Sequence, residues 1–297
     1  MIFPALRALL NGFLSARVGH LNKHYQSFGF EGNDTIVLTL YHNDMLICAA
    51  NVRTALLEKA LDCKFIHLDL RAGDAQRPDY LKLNPNAVVP TLAYDHRVLI
   101  ESTVICEFID DEWPDQPLKP DDSFGRARMR LWTKQLDEGL HAAVGSLSFA
   151  IAFRHQWLAR PEQDRAKWLA GIPQQDRRDR LHSLLELGLQ SPYFAPAVKR
   201  YAKLFDDFES ALELSPWLAG KRFSLAEIGF APYLARLRHL GFDLLFDKHP
   251  RTTEWAQRVA ERPAVVGGVE RWLNPKYLAL FEKQRSEAKL ALSRLLG

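Results

Sequence analysis

The sequence predicts an α/β domain of order βαβαββα followed by an all-α helical domain. Three observations carry that prediction. Short runs rich in β-branched and aromatic residues alternate with helical runs between about residues 35 and 112. Strand signals stop at the Pro-rich stretch Trp113-Pro-Asp-Gln-Pro-Leu-Lys-Pro120, which reads as a linker. Beyond it, helical apolar spacing continues to the end of the chain.

The first segment, residues 1–34, stands apart from both domains. Residues 1–24 place Phe3, Leu6, Leu10, Phe13, Leu14, Val18 and Leu21 at helical spacing, with Arg7, Asn11 and Ser15 on the other side. Residues 1–30 hold no acid, and their Arg7, Arg17 and Lys23 account for the whole excess of 39 basic over 36 acidic residues. It reads as a helix packed on the body or as a weak membrane-surface contact. The remaining chain is electrically balanced, which argues against nucleic acid as the main partner.

The α/β domain is assigned to residues 35–115. Thr35-Ile-Val-Leu-Thr-Leu-Tyr41 is a strand, and residues 48–61 form a helix with Val52, Leu56 and Leu57 inward. Lys64-Phe-Ile-His-Leu-Asp-Leu70 has the near-continuous apolar character of a buried parallel strand. A short helix over 78–83 leads through Asn84-Pro-Asn-Ala into two further strands, residues 91–94 and 97–100. Ser102 caps a helix that runs to about residue 112. The helical domain takes residues 121–297, with helices at roughly 121–158, 176–189, 193–214, 225–240, 250–262 and 275–295. Within it, Ser224-Leu-Ala-Glu227 has the form of a capping box.

Composition sets outer bounds. With 47% hydrophobic and 25% charged residues the chain is globular rather than disordered. The longest apolar stretch, residues 142–153, is short of the roughly 20 residues that span a bilayer. Three cysteines (Cys48, Cys63 and Cys106) make no disulfide scaffold and point to a reducing compartment, the cytoplasm. His20 and His24 have helical ligand spacing, but neither they nor His141 has the further ligands of a metal site. No phosphate-binding loop, dinucleotide fingerprint or nucleophile elbow is present.

Three places carry candidate chemistry. Cys48 falls at the first turn of a helix, where free N–H groups and the dipole favour a thiolate. Asn51 stands where a Cys-x-x-Cys motif has its second cysteine, so a disulfide at Cys48 needs an external thiol. The alternative is a small buried apolar cysteine. Val89-Pro90 opens a strand and is either an edge-strand start or a cis bond that presents the Val89 backbone to a peptide-like ligand. Glu101-Ser102, at another helix start, pairs a carboxylate for an ammonium with a hydroxyl and N–H groups for a carboxylate.

Residues 41–56, Leu83-Asn-Pro-Asn-Ala-Val-Val89-Pro90-Thr-Leu, Glu101-Ser-Thr-Val-Ile-Cys-Glu-Phe and Phe223-Ser-Leu-Ala-Glu-Ile resemble, in order and interval, the hallmarks of the cytosolic glutathione S-transferase superfamily. The resemblance covers about residues 35–275. It implies a thioredoxin-like N-terminal domain that binds glutathione as cosubstrate, a helical domain that helps bind the electrophile, and a homodimer. Val89, before Pro90, would hold the cysteinyl backbone of glutathione, and Glu101 and Ser102 its γ-glutamyl end. Cys48 falls where cysteine-bearing branches keep their active thiol, whereas the serine of several other classes has Leu46 in its place.

Two bacterial groups resemble it further. Met45-Leu-Ile-Cys48 and Ala87-Val-Val-Pro-Thr-Leu are similar to tetrachlorohydroquinone reductive dehalogenases. Glu101–Phe108 and Arg128–Glu138 resemble the glutathione-dependent β-etherases of aromatic degradation, which lack a cysteine at the Cys48 position. The resemblance therefore implies an enzyme that directs the glutathione thiol at a hydrophobic aromatic electrophile with an ether or halide leaving group. Candidate pocket residues are Leu46, Trp132, Phe149 and Phe153, although aromatics at helical spacing also build cores. The rival readings are a glutathione-linked thiol–disulfide reductase using Cys48 and a non-catalytic glutathione-binding module.

Overall fold

Four short strands build one mixed sheet in the order β2-β1-β3-β4, with β1 Thr39–His42, β2 Lys64–His67, β3 Thr91–Tyr94 and β4 Arg97–Ile100. The computed structural model describes residues 37–95 and 97–297, so the N-terminal extension and its expected membrane contact lie outside the described residues. β1 runs parallel to β2 and antiparallel to β3, and β3 runs antiparallel to β4. Leu40 and Leu92 face each other across the central pair and are wholly buried. β2 ends at His67 rather than at residue 70, because the Asp69 carboxylate accepts from the N–H groups of Arg71 and Ala72 and turns the chain.

The helices of this half are α1 (Ile47–Glu58), α2 (Pro78–Leu81) and α3 (Ser102–Glu112). The order βαβαββα is thus the thioredoxin-like one. Val52, Ala55 and Leu56 of α1 are buried. Leu57, expected inward, is 43% exposed: it lies one position past the inward stripe and turns toward Gly267.

The Pro-rich stretch is strapped down rather than free. Asp110 pairs with Lys59 at 2.6 Å, both side chains being nearly fully buried, and accepts from the Leu118 N–H at 2.7 Å. Lys59 donates as well to the carbonyls of Trp113, Asp115 and Gln116. Removing one partner of such a buried pair costs about 3–5 kcal/mol.

Helices make up the rest: α4 (Ser123–Gln135), α5 (His141–Ser148), α6 (Arg154–Leu158), α7 (Glu162–Ala170), α8 (Gln175–Leu187), α9 (Phe194–Leu214), α10 (Leu225–Leu240), α11 (Asp243–Lys248), α12 (Pro250–Ala260), α13 (Pro263–Gly268) and α14 (Pro275–Leu296). The expected single helix over 121–158 is broken twice by π-helical turns, Leu136–Leu140 and Phe149–Phe153. In the first, Gly139 has φ +119°, a conformation other residues rarely adopt. The core collects around Trp255, Tyr201, Phe205, Phe208 and Phe230, all under 2% exposed. Among the described residues no helix is long and apolar enough to cross a membrane.

The capping box of α10 forms as the sequence predicts. Glu227 accepts from the N–H of Ser224 at 2.9 Å and from that of Leu218 at 2.7 Å, while the Ser224 hydroxyl accepts from the Ala226 N–H. Glu227 is wholly buried, and burial pushes its carboxyl above the usual range against these hydrogen bonds.

Candidate active site

Cys48 is the second residue of α1, whose N-cap, Leu46, supplies no side-chain hydrogen bond. The first-turn N–H groups are left for an anion. The thiol is half-buried, and its Sγ lies 3.2 Å from Nδ1 of His141, on the exposed side of α5. The same nitrogen is 3.2 Å from the hydroxyl of Tyr233 on α10. Burial opposes ionisation of Cys48, but the charge and hydrogen bond of His141, with hydrogen bonds from Ser102 and Tyr233, outweigh it and hold the thiol below its ordinary value. Reciprocally, the Cys48 charge raises the His141 imidazole against its own burial. Burial drives Tyr233 well upward, so its hydroxyl stays a neutral donor.

The other two thiols behave differently. Burial pushes Cys63 up to about 12, and burial likewise raises Cys106. Only Cys48 of the three is poised as a thiolate.

The remaining predicted residues gather at the same end of the sheet. The Val89–Pro90 bond is cis. Val89 shares a small apolar cluster with Tyr80 and Leu46, which seats the proline turn beside the start of α1. The turn is fixed by the Tyr80 hydroxyl and the Asn84 amide, both donating to the Val88 carbonyl, at 2.6 and 3.0 Å. Each also bonds the Thr91 hydroxyl. This is the role of Asn84 in its Asn-Pro-Asn-Ala turn.

Glu101 is the N-cap of α3 and makes no side-chain cap, so Ser102 is the first helical residue rather than the cap expected. Glu101 has φ +69°, a strained position for a non-glycine residue and one typical of functional turns. Its side chain is exposed and the α3 N–H groups face no capping side chain. Ser102, 6% exposed, helps to hold the Cys48 thiol down and so links the two candidate regions.

The loop before Cys48 is clamped by Arg53 of α1 and by residues of the helical half. Arg53, 1% exposed, donates to the carbonyls of Asn43, Asp44 and Gly268. Arg236 donates to the Met45 carbonyl at 2.6 Å, and the Asn274 amide to Asp44 at 2.9 Å. Burial lowers Arg53 to about 9 and Arg236 to about 10, yet both remain cations at neutral pH.

The four candidate pocket residues divide. Leu46 sits at the start of α1, and Phe153 meets Tyr277 edge-on and Phe281 at a tilt, with the guanidinium groups of Arg71 and Arg236 over its ring. Trp132 instead donates to the Leu218 carbonyl and packs on Phe208 and Phe230. Phe149 is 5% exposed and stacked on Trp168. Both therefore serve the core of the helical half.

Sequence reasoning missed His141 and Tyr233 as partners of Cys48. His141 was weighed only as a metal ligand, and nothing local ties it to a cysteine 93 residues earlier. The one available signal was Gly139, out of place inside a long helical pattern.

The family model for the glutathione S-transferase N-terminal domain matches residues 36–111, and that for the C-terminal domain matches residues 190–263. The chain is 29% identical to Protein LigF of a Sphingobium species over 219 residues, covering 71% of this chain and 84% of that protein. It is 25% identical to glutathione S-transferase TCHQD of Arabidopsis thaliana over 246 residues, covering 80% of this chain and 91% of that one. The crystal structure of the Sphingobium β-etherase LigF superposes with a TM-score of 0.72 at 25% identity, covering 79% of this chain and 99% of that one.

Proposed function

We infer that this chain, which belongs to the glutathione S-transferase family and takes glutathione as its cosubstrate, directs the glutathione thiol at an aromatic electrophile bearing an ether or halide leaving group. The chain's own residues fit the tripeptide. Val89, before the cis Pro90, would meet the cysteinyl unit with its backbone N–H and C=O. Glu101 and the uncapped start of α3 suit the ammonium and carboxylate of the γ-glutamyl end. Holding both reactants together is the larger part of such catalysis.

The observation that carries the reading is the Cys48–His141 pair at 3.2 Å. In the transfer step the glutathione sulfur forms a bond to carbon, and the leaving group departs with the electron pair of the broken bond. The cationic His141 and the start of α1 stabilise the anionic sulfur. The same pair favours a second role. Cys48 thiolate attacks the glutathionyl sulfur of the adduct, the carbon–sulfur bond breaks, and the carbon takes its electron pair and the His141 proton. A second glutathione thiolate then attacks the Cys48 mixed disulfide, releasing glutathione disulfide and restoring Cys48.

A turnover screen across aryl ethers, halogenated quinols and small mixed disulfides, on wild type and Cys48→Ser, tests both roles. Transfer to aryl substrates supports the leading reading. Activity confined to mixed disulfides and lost in Cys48→Ser makes the protein a thiol–disulfide reductase instead. Glutathione retention with no turnover makes it a binding module. Intact mass showing no Cys48 adduct under turnover removes the covalent role.

The enzyme works as a homodimer in this reading. Val104 of α3 and Phe124 and Leu131 of α4 are 53–71% exposed on helices joined by the Arg130–Glu107 ion pair. Free thiols at all three cysteines suit a reducing cytoplasm.

A further inference from the structure

The contact between Cys48 and His141 depends on the break in the helix that carries His141. Glu138 (φ −81°, ψ 31°) and Gly139 (φ +119°, ψ −10°) leave helical geometry immediately before α5, and His141 is the first residue of the helix that resumes. Donors from another helix can bond the carbonyls around a break of this kind and so fix where the helix resumes. Two consecutive residues of α9 do so. Arg200 donates from Nη2 to the Glu138 carbonyl at 2.8 Å, and Tyr201 donates its hydroxyl to the Leu140 carbonyl at 3.0 Å. Just before the break, the Asp137 carboxylate accepts from the Thr103 hydroxyl at 2.8 Å.

Gly139 fits the same device. A side chain there would be strained at φ +119°, and its Cβ would stand 3.4 Å from the Arg200 guanidinium. An uninterrupted helix would gain about 1 kcal/mol from alanine at this position, so the glycine serves the break. Tyr201 is wholly buried, and burial raises its hydroxyl well above the usual range, keeping it a donor.

We propose that Arg200 and Tyr201 are positioning residues: by satisfying the Glu138 and Leu140 carbonyls they hold the helix break that sets the His141 imidazole against Cys48. Neither touches the reacting sulfur in this role. They act through the direction of α5, and a small misplacement of a catalytic group is enough to cost rate. The proposal rests on the Cys48–His141 pair described above.

The test measures alkylation of Cys48 by iodoacetamide, followed by mass spectrometry from pH 5 to 10, in Arg200→Met, Arg200→Lys, Tyr201→Phe, His141→Ala and the double variant Arg200→Met/His141→Ala. Far-ultraviolet circular dichroism checks the fold of each. Arg200→Met and Tyr201→Phe are expected to move the midpoint to higher pH by about half a unit, a threefold lower rate at pH 7. Arg200→Lys should recover part of that shift, and the double variant should match His141→Ala alone. A shift in His141→Ala with none in Arg200→Met or Tyr201→Phe overturns the positioning role and leaves the pair intact. No shift in His141→Ala overturns the pair, and the positioning role with it. Additive shifts in the double variant show that Arg200 acts on Cys48 independently of His141, which also overturns the proposal.

Discussion

Cys48 and His141 meet at 3.2 Å across 93 residues of chain, a thiol at the start of one helix facing an imidazole at the start of another. Each stabilises the charged form of the other: the thiol is held down and the imidazole is raised. The contact thus favours the thiolate form of Cys48 and the protonated form of His141.

The pH dependence of Cys48 follows from the sign of that shift. A lowered pKa means that the thiolate persists below the ordinary thiol value of about 8.5 and disappears only as pH falls through the depressed value. In His141→Ala the leading favourable contribution is gone while burial stays. The alkylation midpoint should rise by at least about one unit, with roughly tenfold slower reaction at pH 7. An unmoved midpoint would show that the contact has no energetic weight.

Ser102 is the first residue of α3 and contributes to the lowered pKa of Cys48. Ser102→Ala should weaken glutathione binding about tenfold, since a hydrogen bond to a charged group is worth about 1.5 kcal/mol. Isothermal titration measures this. Binding unchanged within twofold would remove Ser102 from the glutathione site.

Glu227 secures a helix start away from the reacting sulfur. Glu227→Ala leaves the Leu218 and Ser224 N–H groups without their acceptor and should destabilise the protein by about 2 kcal/mol in urea unfolding. Activity per folded molecule should hold. A loss below 0.5 kcal/mol, on the order of an exposed cap, would contradict the buried network.

Acid sensitivity is expected from His42. Burial first, then Arg53, lowers its pKa from 6.5 to about 3, so the folded protein keeps the ring neutral while the unfolded chain takes up a proton below about 6.5. Stability contributed by the neutral ring is therefore complete above pH 6.5 and is lost as pH falls toward 3. At pH 5 the loss from this residue is about 2 kcal/mol. Urea unfolding at pH 7 and pH 5, with His42→Asn for comparison, measures it; equal pH sensitivity in the variant would assign the effect to other groups.

The homodimer proposed above would bury the apolar side chains exposed on α3 and α4. Phe124→Glu with Leu131→Glu should turn a sedimenting dimer into a monomer that retains its fold. A variant that still sediments as a dimer would move the interface elsewhere on the chain.

Much of this site is legible one segment at a time. The start of α1 at Cys48, the proline turn at Val89 and the Ser224–Glu227 cap are each encoded within a few consecutive residues, whereas the cap of α3 falls on Glu101 rather than on Ser102. Backbone donors, turn residues and caps act over that range, so their sequence signals survive without a fold. The aromatic residues of α4 and beyond were less legible. Helical spacing says that Trp132, Phe149 and Phe153 face inward, and it does not say whether inward is a core or a cleft.

The sequence by itself determined the order βαβαββα, the helical domain and the placing of a cysteine at a helix start. The tertiary structure alone decided that this cysteine faces His141, that His141 meets Tyr233, and that Trp132 and Phe149 belong to the core. The reason is physical. Local order follows from backbone geometry and spacing, whereas the meeting of Cys48 with His141 requires α1 to be clamped to the helical half by Arg53 and Arg236 and the helix to break at Gly139. Those conditions involve residues far apart in the chain, and no single stretch of it contains them.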